Sequence, residues 1–250
     1  MTNLKGKRIL VTGASSGIGR AASQQAAAFG ASLILLGRNI ERLEETYYSL
    51  QGNGHEYYSI DITDYPQLEQ TIRLSVTKAG PISGFVHSAG IEKTTPLKAS
   101  TPLLFKEVFE INVFAGFEIA RIISQKGNFN ITGASYVFLS SVMGLLGEPG
   151  KIIYCSSKSA LLSGAKAMAL ELAVKKIRCN CILPGIVETE LVKKLFDTIT
   201  PEAKKNIIDK HPLGLGKPDD VAGLVCFLLS DQARWITGSE YIIDGGYSAS

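Results

Sequence analysis

No charge of one sign dominates this chain of 250 residues: 26 lysines and arginines stand against 23 aspartates and glutamates, a formal net charge of +3. Binding a nucleic acid or a membrane surface calls for a basic patch. The short runs Lys175-Lys176 and Lys193-Lys194 read instead as solvated helix positions, so neither partner is expected. Cysteine is scarce too. Cys155, Cys179, Cys181 and Cys226 lack the paired spacings of a zinc site, and Cys179 and Cys181 alternate along a strand-like run where they pack. No stretch of about 18 apolar residues is present for a membrane span. Residues 1–7 are too polar to open a signal peptide, which makes a cytoplasmic, reduced setting the economical expectation. Linkers rich in proline, glycine or serine, internal repeats and low-complexity tracts are also missing, so a single domain over residues 1–250 is expected.

What is present is a regular alternation of strand and helix signals. Residues 8–12, 32–36, 57–60, 82–87, 135–139, 177–183 and 241–243 read as seven short apolar strands. Helical patterns over 17–29, 41–50, 65–78, 101–125, 152–174 and 219–229 separate them. Apolar strands alternating with helices imply an α/β fold, a doubly wound parallel sheet covered on both faces. With hydrophobic residues at 45%, one core of this kind can be filled.

Between the first strand and first helix lies Thr12-Gly-Ala-Ser-Ser-Gly-Ile-Gly19. Glycines there let the backbone turn tightly and approach a ligand, while the helix start offers free amides and a positive dipole end to a pyrophosphate. Gly13, Ser15, Ser16, Gly17, Ile18 and Gly19 are the candidates for that contact. The alternative is a glycine-rich turn with no ligand. At the tip of the second strand, Leu36-Gly37-Arg38-Asn39 carries no carboxylate to bind a ribose 2′-hydroxyl. Arg38 can instead fork onto a 2′-phosphate, which favours NADP(H) over NAD(H), or stand as a solvated arginine at a helix start. Asp61-Ile62, after the third strand, offers an acceptor for an adenine amino group. Asp61 can alternatively cap the next helix, although Thr63 and Asp64 are better placed for that.

Tyr154 and Lys158 stand four residues apart in a helical segment, so both head groups reach one pocket. An ammonium beside a phenol pulls the phenol pKa down and makes it a better proton donor. Solvated helix faces carry the same spacing by chance, so the pair gains meaning only from its neighbours.

Taken together, these pieces resemble the short-chain dehydrogenase/reductase family over nearly the whole chain. The resemblance rests on the glycine loop, Asp61, Ser88-Ala89-Gly90, Asn112, Ser140-Ser141, Tyr154-x-x-x-Lys158, Pro184-Gly185 with Thr189, and Asp244-Gly245-Gly246. It implies a Rossmann-type domain with reversible hydride transfer between a nicotinamide and a carbonyl or secondary alcohol. It further implies Tyr154 as general acid, Lys158 as the group that lowers the Tyr154 pKa and holds the nicotinamide ribose, and Ser141 as a hydrogen-bond donor to the substrate oxygen. Ser140 is the rival, since adjacent strand residues face opposite ways. Asn112 would hold a water that links Lys158 to solvent. A helix-interior asparagine satisfied by nearby backbone is the other reading. Ala89 and Gly90 leave room for the cofactor, and Pro184, Gly185, Val187 and Thr189 resemble the loop that meets the carboxamide.

The chain also departs from the family pattern. Asn-Asn-Ala-Gly is frequent after strand four, whereas here the tetrad is His87-Ser88-Ala89-Gly90, without the strand-tethering asparagines. His87 offers a catalytic base by residue type, yet it ends a buried strand and is read as a satisfied structural histidine. Bacterial 3-oxoacyl-[acyl-carrier-protein] reductases are a close likeness, yet their arginine before the glutamate of the Tyr/Lys helix is replaced by Leu170-Glu171. Sugar, polyol and steroid substrates therefore stay open, as does a cofactor-binding regulatory protein without catalysis. Residues 188–216 read as a substrate-covering lid, with Leu191, Leu195, Phe196, Ile199, Ile207 and Ile208 at helix-like intervals. The family resemblance implies a homotetramer through segments 101–125 and 152–174, where Ala160, Gly164, Ala165 and Ala167 permit close packing.

Overall fold

The computed structural model describes residues 2–249, without the side chains of Leu191, Lys194 and Leu195, so that part of the lid pattern lies outside the described side chains. Seven parallel strands form one sheet in the order β3-β2-β1-β4-β5-β6-β7. They are β1 (Arg8–Thr12), β2 (Ser32–Gly37), β3 (Glu56–Ser59), β4 (Gly84–His87), β5 (Ala134–Leu139), β6 (Ile177–Pro184) and β7 (Glu240–Ile243). Between the first three lie α1 (Gly17–Ala28) and α2 (Ile40–Tyr48), followed by α3 (Tyr65–Ala79). Then come α4 (Pro102–Phe109), α5 (Ala115–Ile123), α6 (Ile152–Leu172), α7 (Glu190–Phe196), α8 (Pro201–Asp209) and α9 (Pro218–Leu229).

Alternation along each strand divides the core in two. Leu10, Phe85, Tyr136 and Phe138 face one side, where Ile119 of α5 and Leu161 and Ala165 of α6 cover them. Ile9, Val11, Val86 and Val137 face the other, beneath Ala22 and Ala26 of α1 and Val221 and Val225 of α9. Because both faces are buried, the strands read as continuous apolar runs. Cys179 and Cys181 of β6 are fully buried in the first core and Cys226 in the second, where burial pushes all three thiols up to about 12. No described helix is long and apolar enough to cross a membrane.

Two sequence expectations need correction. The helix expected over 101–125 is interrupted: Glu110–Phe114 forms a π turn between α4 and α5, and its extra residue redirects Asn112 inward. The small residues of α6 are also used differently. A Cβ on Gly164 would strike the Phe117 ring of α5, and Ala165 is buried in the core, so both serve packing within the chain. Ala160 and Ala167 keep an outward aspect.

The chain leaves β1 toward β2 and β3, then returns to β4 on the opposite side of β1. The connections after β1 and β4 therefore leave the sheet toward opposite faces, and a crevice lies at the strand ends of this switch point, where open α/β sheets hold their ligands.

Candidate active site

A cleft of about 440 Å³ opens at that switch point. Its floor is the turn after β1. Gly13 has φ +66°, and a Cβ there would lie 2.8 Å from the Ala89 nitrogen. A Cβ on Gly19 would strike the Gly13 carbonyl. Gly13 is thus required by the close approach of the β1 and β4 turns, and Gly19 by the packing of the loop against the start of α1. Gly17, at φ +52°, meets Thr189 from the far wall. The loop carbonyls are engaged away from the cleft: Thr46 Oγ1 donates to Ala14 O at 3.1 Å, and Arg20 Nη2 donates to Ser15 O at 2.7 Å. Ser16 stands at the α1 N-cap with its hydroxyl uncommitted to the helix, and the first turn holds no acidic side chain. An anionic pyrophosphate fits this cradle, because donors and dipole face it and the first turn of α1 carries no carboxylate.

Ser15, Ser16, Gly17, Ile18, Arg38, Asp61, Ile62, Ala89, Gly90, Tyr154, Lys158, Pro184 and Thr189 all line the cleft. Gly19, Asn112, Ser141, Gly185 and Val187 lie outside its lining and support it. Asp61 accepts from the amide and hydroxyl of Thr63, at 2.9 and 2.8 Å, which holds its carboxyl below the usual range. The α3 cap is Asp64, as its position suggests. The Val187 carbonyl accepts from Thr189 N at 2.7 Å, and Gly185 is needed because a Cβ would lie 2.9 Å from the Asp244 Cα.

The tip of β4 is tethered by a network that no local sequence pattern announces. His87 is fully buried, with Nε2 3.1 Å from the Asn112 carbonyl and Nδ1 3.1 Å from Thr12 Oγ1. A carbonyl only accepts, so Nε2 carries the proton and Nδ1 accepts from the Thr12 hydroxyl. Thr12 Oγ1 can then accept from the amides of Ser88 and Ala89, at 3.2 and 3.1 Å. Burial lowers the His87 pKa to about 4, with the Lys158 charge acting in the same direction. His87 is neutral and structural, and it supplies the tether expected to be missing.

Asn112 projects from the π turn to the neighbouring loop and helix. Its Oδ1 accepts from Ile91 N at 2.8 Å, and its Nδ2 donates to Ile91 O and Ser157 Oγ at 3.0 Å each. These bonds hold the 90–92 segment against α6. Ser140 and Ser141 lie just past the end of β5, so strand alternation is not what separates them. Ser140 Oγ donates to Lys158 O at 2.8 Å and locks α6 to the sheet, whereas Ser141 reaches the Tyr154 phenol.

Lys158 is buried, 5.7 Å from the Tyr154 ring centroid, and its Nζ donates to Leu139 O at 2.8 Å. Burial lowers its pKa to about 8, with the Cys181 sulfur and the Glu92 carboxylate acting in the opposite direction. Tyr154 moves the other way. Burial pushes it up to about 12, Glu92 adds to that, and Ser141 and Lys151 pull it back. The cation that lowers this phenol is Lys151, at the start of the same helix, and desolvation outweighs it. Tyr154 therefore stays protonated at neutral pH, as a proton donor must be.

A family model described as enoyl-(acyl carrier protein) reductase matches residues 13–248. The chain is 34% identical over 247 residues to the 3-oxoacyl-[acyl-carrier-protein] reductase FabG of Rickettsia felis, covering 98% of each chain. It is 30% identical over 250 residues to the NADP-dependent (R)-specific alcohol dehydrogenase of Lentilactobacillus kefiri, again with 98% of each covered. A solved dehydrogenase/reductase from Sinorhizobium meliloti 1021 superposes with a TM-score of 0.89 at 31% identity, over 98% of this chain and 96% of that one. The chain belongs to the short-chain dehydrogenase/reductase family. It is accordingly an NAD(P)-dependent oxidoreductase of CH–OH groups.

Within that family frame, four charged residues in or beside the cleft went unread in the sequence. Glu92 lines it, paired at 2.8 Å with Lys151, which also holds Glu148 at 3.1 Å. Lys151 sits three residues before Tyr154 at the start of the same helix, a spacing that could have flagged it. Arg42 and Glu190 line the cleft from opposite walls, and nothing in their sequence separation announces their meeting.

Proposed function

We propose that this chain reduces a carbonyl, or oxidises the matching secondary alcohol, with NADP(H) favoured over NAD(H). When bound, the nicotinamide gives or takes the hydride. Tyr154 gives its phenolic proton to the substrate oxygen, and Ser141 donates a second hydrogen bond where negative charge develops. Lys158, with its pKa near 8, can return a proton to Tyr154 and hold the nicotinamide ribose. Asn112 fixes the loop beside them through its bonds to Ile91 and Ser157, and beside Lys158 it holds a water that links the amine to solvent. The observation that carries this reading is the meeting of Tyr154 and Lys158 in the lining of a cleft that also holds the glycine cradle, with Ser141 hydrogen-bonded to the phenol from beside it.

Arg38 is the basis for the NADP(H) preference: it is exposed at the tip of β2, and no carboxylate stands there to accept a 2′-hydroxyl. A 3-oxoacyl thioester on an acyl-carrier protein is the first substrate to try, given the likeness to such reductases. Leu170, which is 81% exposed where those relatives commonly carry arginine, weakens the carrier contact, so sugars, polyols and steroids belong in the same screen. Residues 188–216, with α7 and α8, serve as the substrate cover, and assembly as a cytoplasmic homotetramer through α4–α5 and α6 completes the proposal. The test is oxidation of NADPH and NADH against a carbonyl panel, with Tyr154→Phe in parallel. Loss of a positioned general acid costs about 10²–10⁴-fold in rate while nucleotide binding persists. Turnover unchanged in Tyr154→Phe would sink the assignment, and nucleotide binding with no turnover on any substrate would favour a regulatory protein.

A further inference from the structure

The cleft that holds Tyr154 and Lys158 also presents a carboxylate to them. Glu92 lines it, just past Gly90, and its negative charge acts on both the phenol and the amine. Lys151, at the start of α6, holds Glu92 at 2.8 Å and Glu148 at 3.1 Å. Two carboxylates against one ammonium leave this group with a net negative charge. Lys151 is the sole side-chain partner of Glu92 among the described residues, so the carboxylate keeps acceptor capacity on the cleft side.

Glu92 is fixed from both flanks. Before it, Asn112 bonds the amide and the carbonyl of Ile91, at 2.8 and 3.0 Å. After it, Lys93 pairs with Glu107 of α4. Thr95 N then donates to Gly150 O at 2.7 Å, which joins this loop to the segment carrying Glu148 and Lys151. The Lys151 and Glu92 side chains are only 21% and 29% exposed. A carboxylate held in this way is an acceptor organised before any ligand arrives.

We propose that Glu92 recognises a hydroxyl on the carbon next to the reacting carbonyl, so that the substrate class is an α-hydroxy ketone and its vicinal diol. The proposal rests on the carbonyl-reductase reading above and selects the polyol and ketose side of it. Reduction adds a hydride from the nucleotide to the carbonyl carbon and the Tyr154 proton to its oxygen, which yields the diol. A carbonyl oxygen placed on Tyr154 brings the groups on its neighbouring carbons toward the wall that Glu92 forms. An ionised carboxylate only accepts, and a hydroxyl there donates a charge-assisted bond. A 3-oxoacyl thioester has no hydroxyl on either side. Its thioester carbonyl repels the carboxylate, and its alkyl chain takes water from it without replacing the hydrogen bond. An ammonium would answer Glu92 but would face the Lys151 ammonium at the same place.

The test compares initial rates on hydroxyacetone, acetone and acetoacetyl-coenzyme A, with NADPH and NADH, for the wild type, Glu92→Gln and Glu92→Leu. The ratio of kcat/KM for hydroxyacetone to that for acetone is the quantity that decides. A changed Tyr154 or a loosened loop affects both ketones alike and cancels in this ratio. Glu92→Leu should lower it by about 10–150-fold, the value of a hydrogen bond to a charged group. Glu92→Gln keeps a neutral acceptor and should lower it by less. Lys151 keeps Glu148 as a partner in both variants, and circular dichroism checks that they stay folded. If the ratio is the same in all three proteins, or if acetoacetyl-coenzyme A is the best wild-type substrate, this inference is overturned and the carbonyl-reductase reading stands. If no carbonyl compound is reduced with either nucleotide, that reading falls and takes the inference with it.

Discussion

Replacing His87 by asparagine should remove a specific part of the acid sensitivity of folding. Its ring is fully buried between Thr12 and the Asn112 carbonyl, and its pKa falls from 6.5 to about 4. The folded state thus resists protonation while the unfolded chain accepts a proton below about pH 6.5. The sign follows: this contribution is fully present above pH 6.5 and is lost as pH falls toward 4. A shift of this size is worth about 3 kcal/mol at its limit and about 2 kcal/mol at pH 5, relative to pH 7.5. Asparagine offers an acceptor for Thr12 and a donor for the carbonyl, yet it does not titrate. Urea unfolding of both proteins at pH 7.5 and pH 5, at one protein concentration, gives the comparison. The wild type should lose about 2 kcal/mol more than His87→Asn between those pH values. Asparagine leaves a smaller side chain, so some stability is lost at both pH values, and the difference between them is the quantity that decides. Equal pH dependence in the two proteins would refute the neutral, buried histidine.

Further tests address the cleft directly. Glu92→Gln removes a negative charge that raises both Tyr154 and Lys158, so the pH limbs governed by these groups should move to lower pH in initial-rate profiles. An unmoved profile would mean that Glu92 does not reach the phenol. Gly13→Ala places a Cβ against the Ala89 backbone at a positive φ, which should cost about 1–3 kcal/mol in thermal or urea unfolding. It should also weaken nucleotide binding in calorimetry. Wild-type stability in this variant would show that the two turns can separate freely.

The sequence by itself determined the layered α/β fold. Apolar runs of strand length between amphipathic segments have few alternatives when both sheet faces must be covered, and the glycines at 13, 17 and 19 mark where the backbone has to turn. It also determined that Tyr154 and Lys158 share a helix face, because their spacing is local. The tertiary structure decided what no local pattern encodes. The π turn at Glu110–Phe114 arises within an uninterrupted helical signal and turns Asn112 toward Ile91 and Ser157. Ser140 and Ser141 are adjacent in sequence, yet their different partners follow from how α6 lies on the end of β5. His87 could be read as buried, but only the approach of β1 and the π turn reveals it as a tether. The phenol and amine pKa values depend on burial from every side, which is why Tyr154 rises although an amine stands on its own helix. The Arg42–Glu190 pair joins residues from opposite ends of the cleft, and such a contact exists only after the chain has closed the sheet between them.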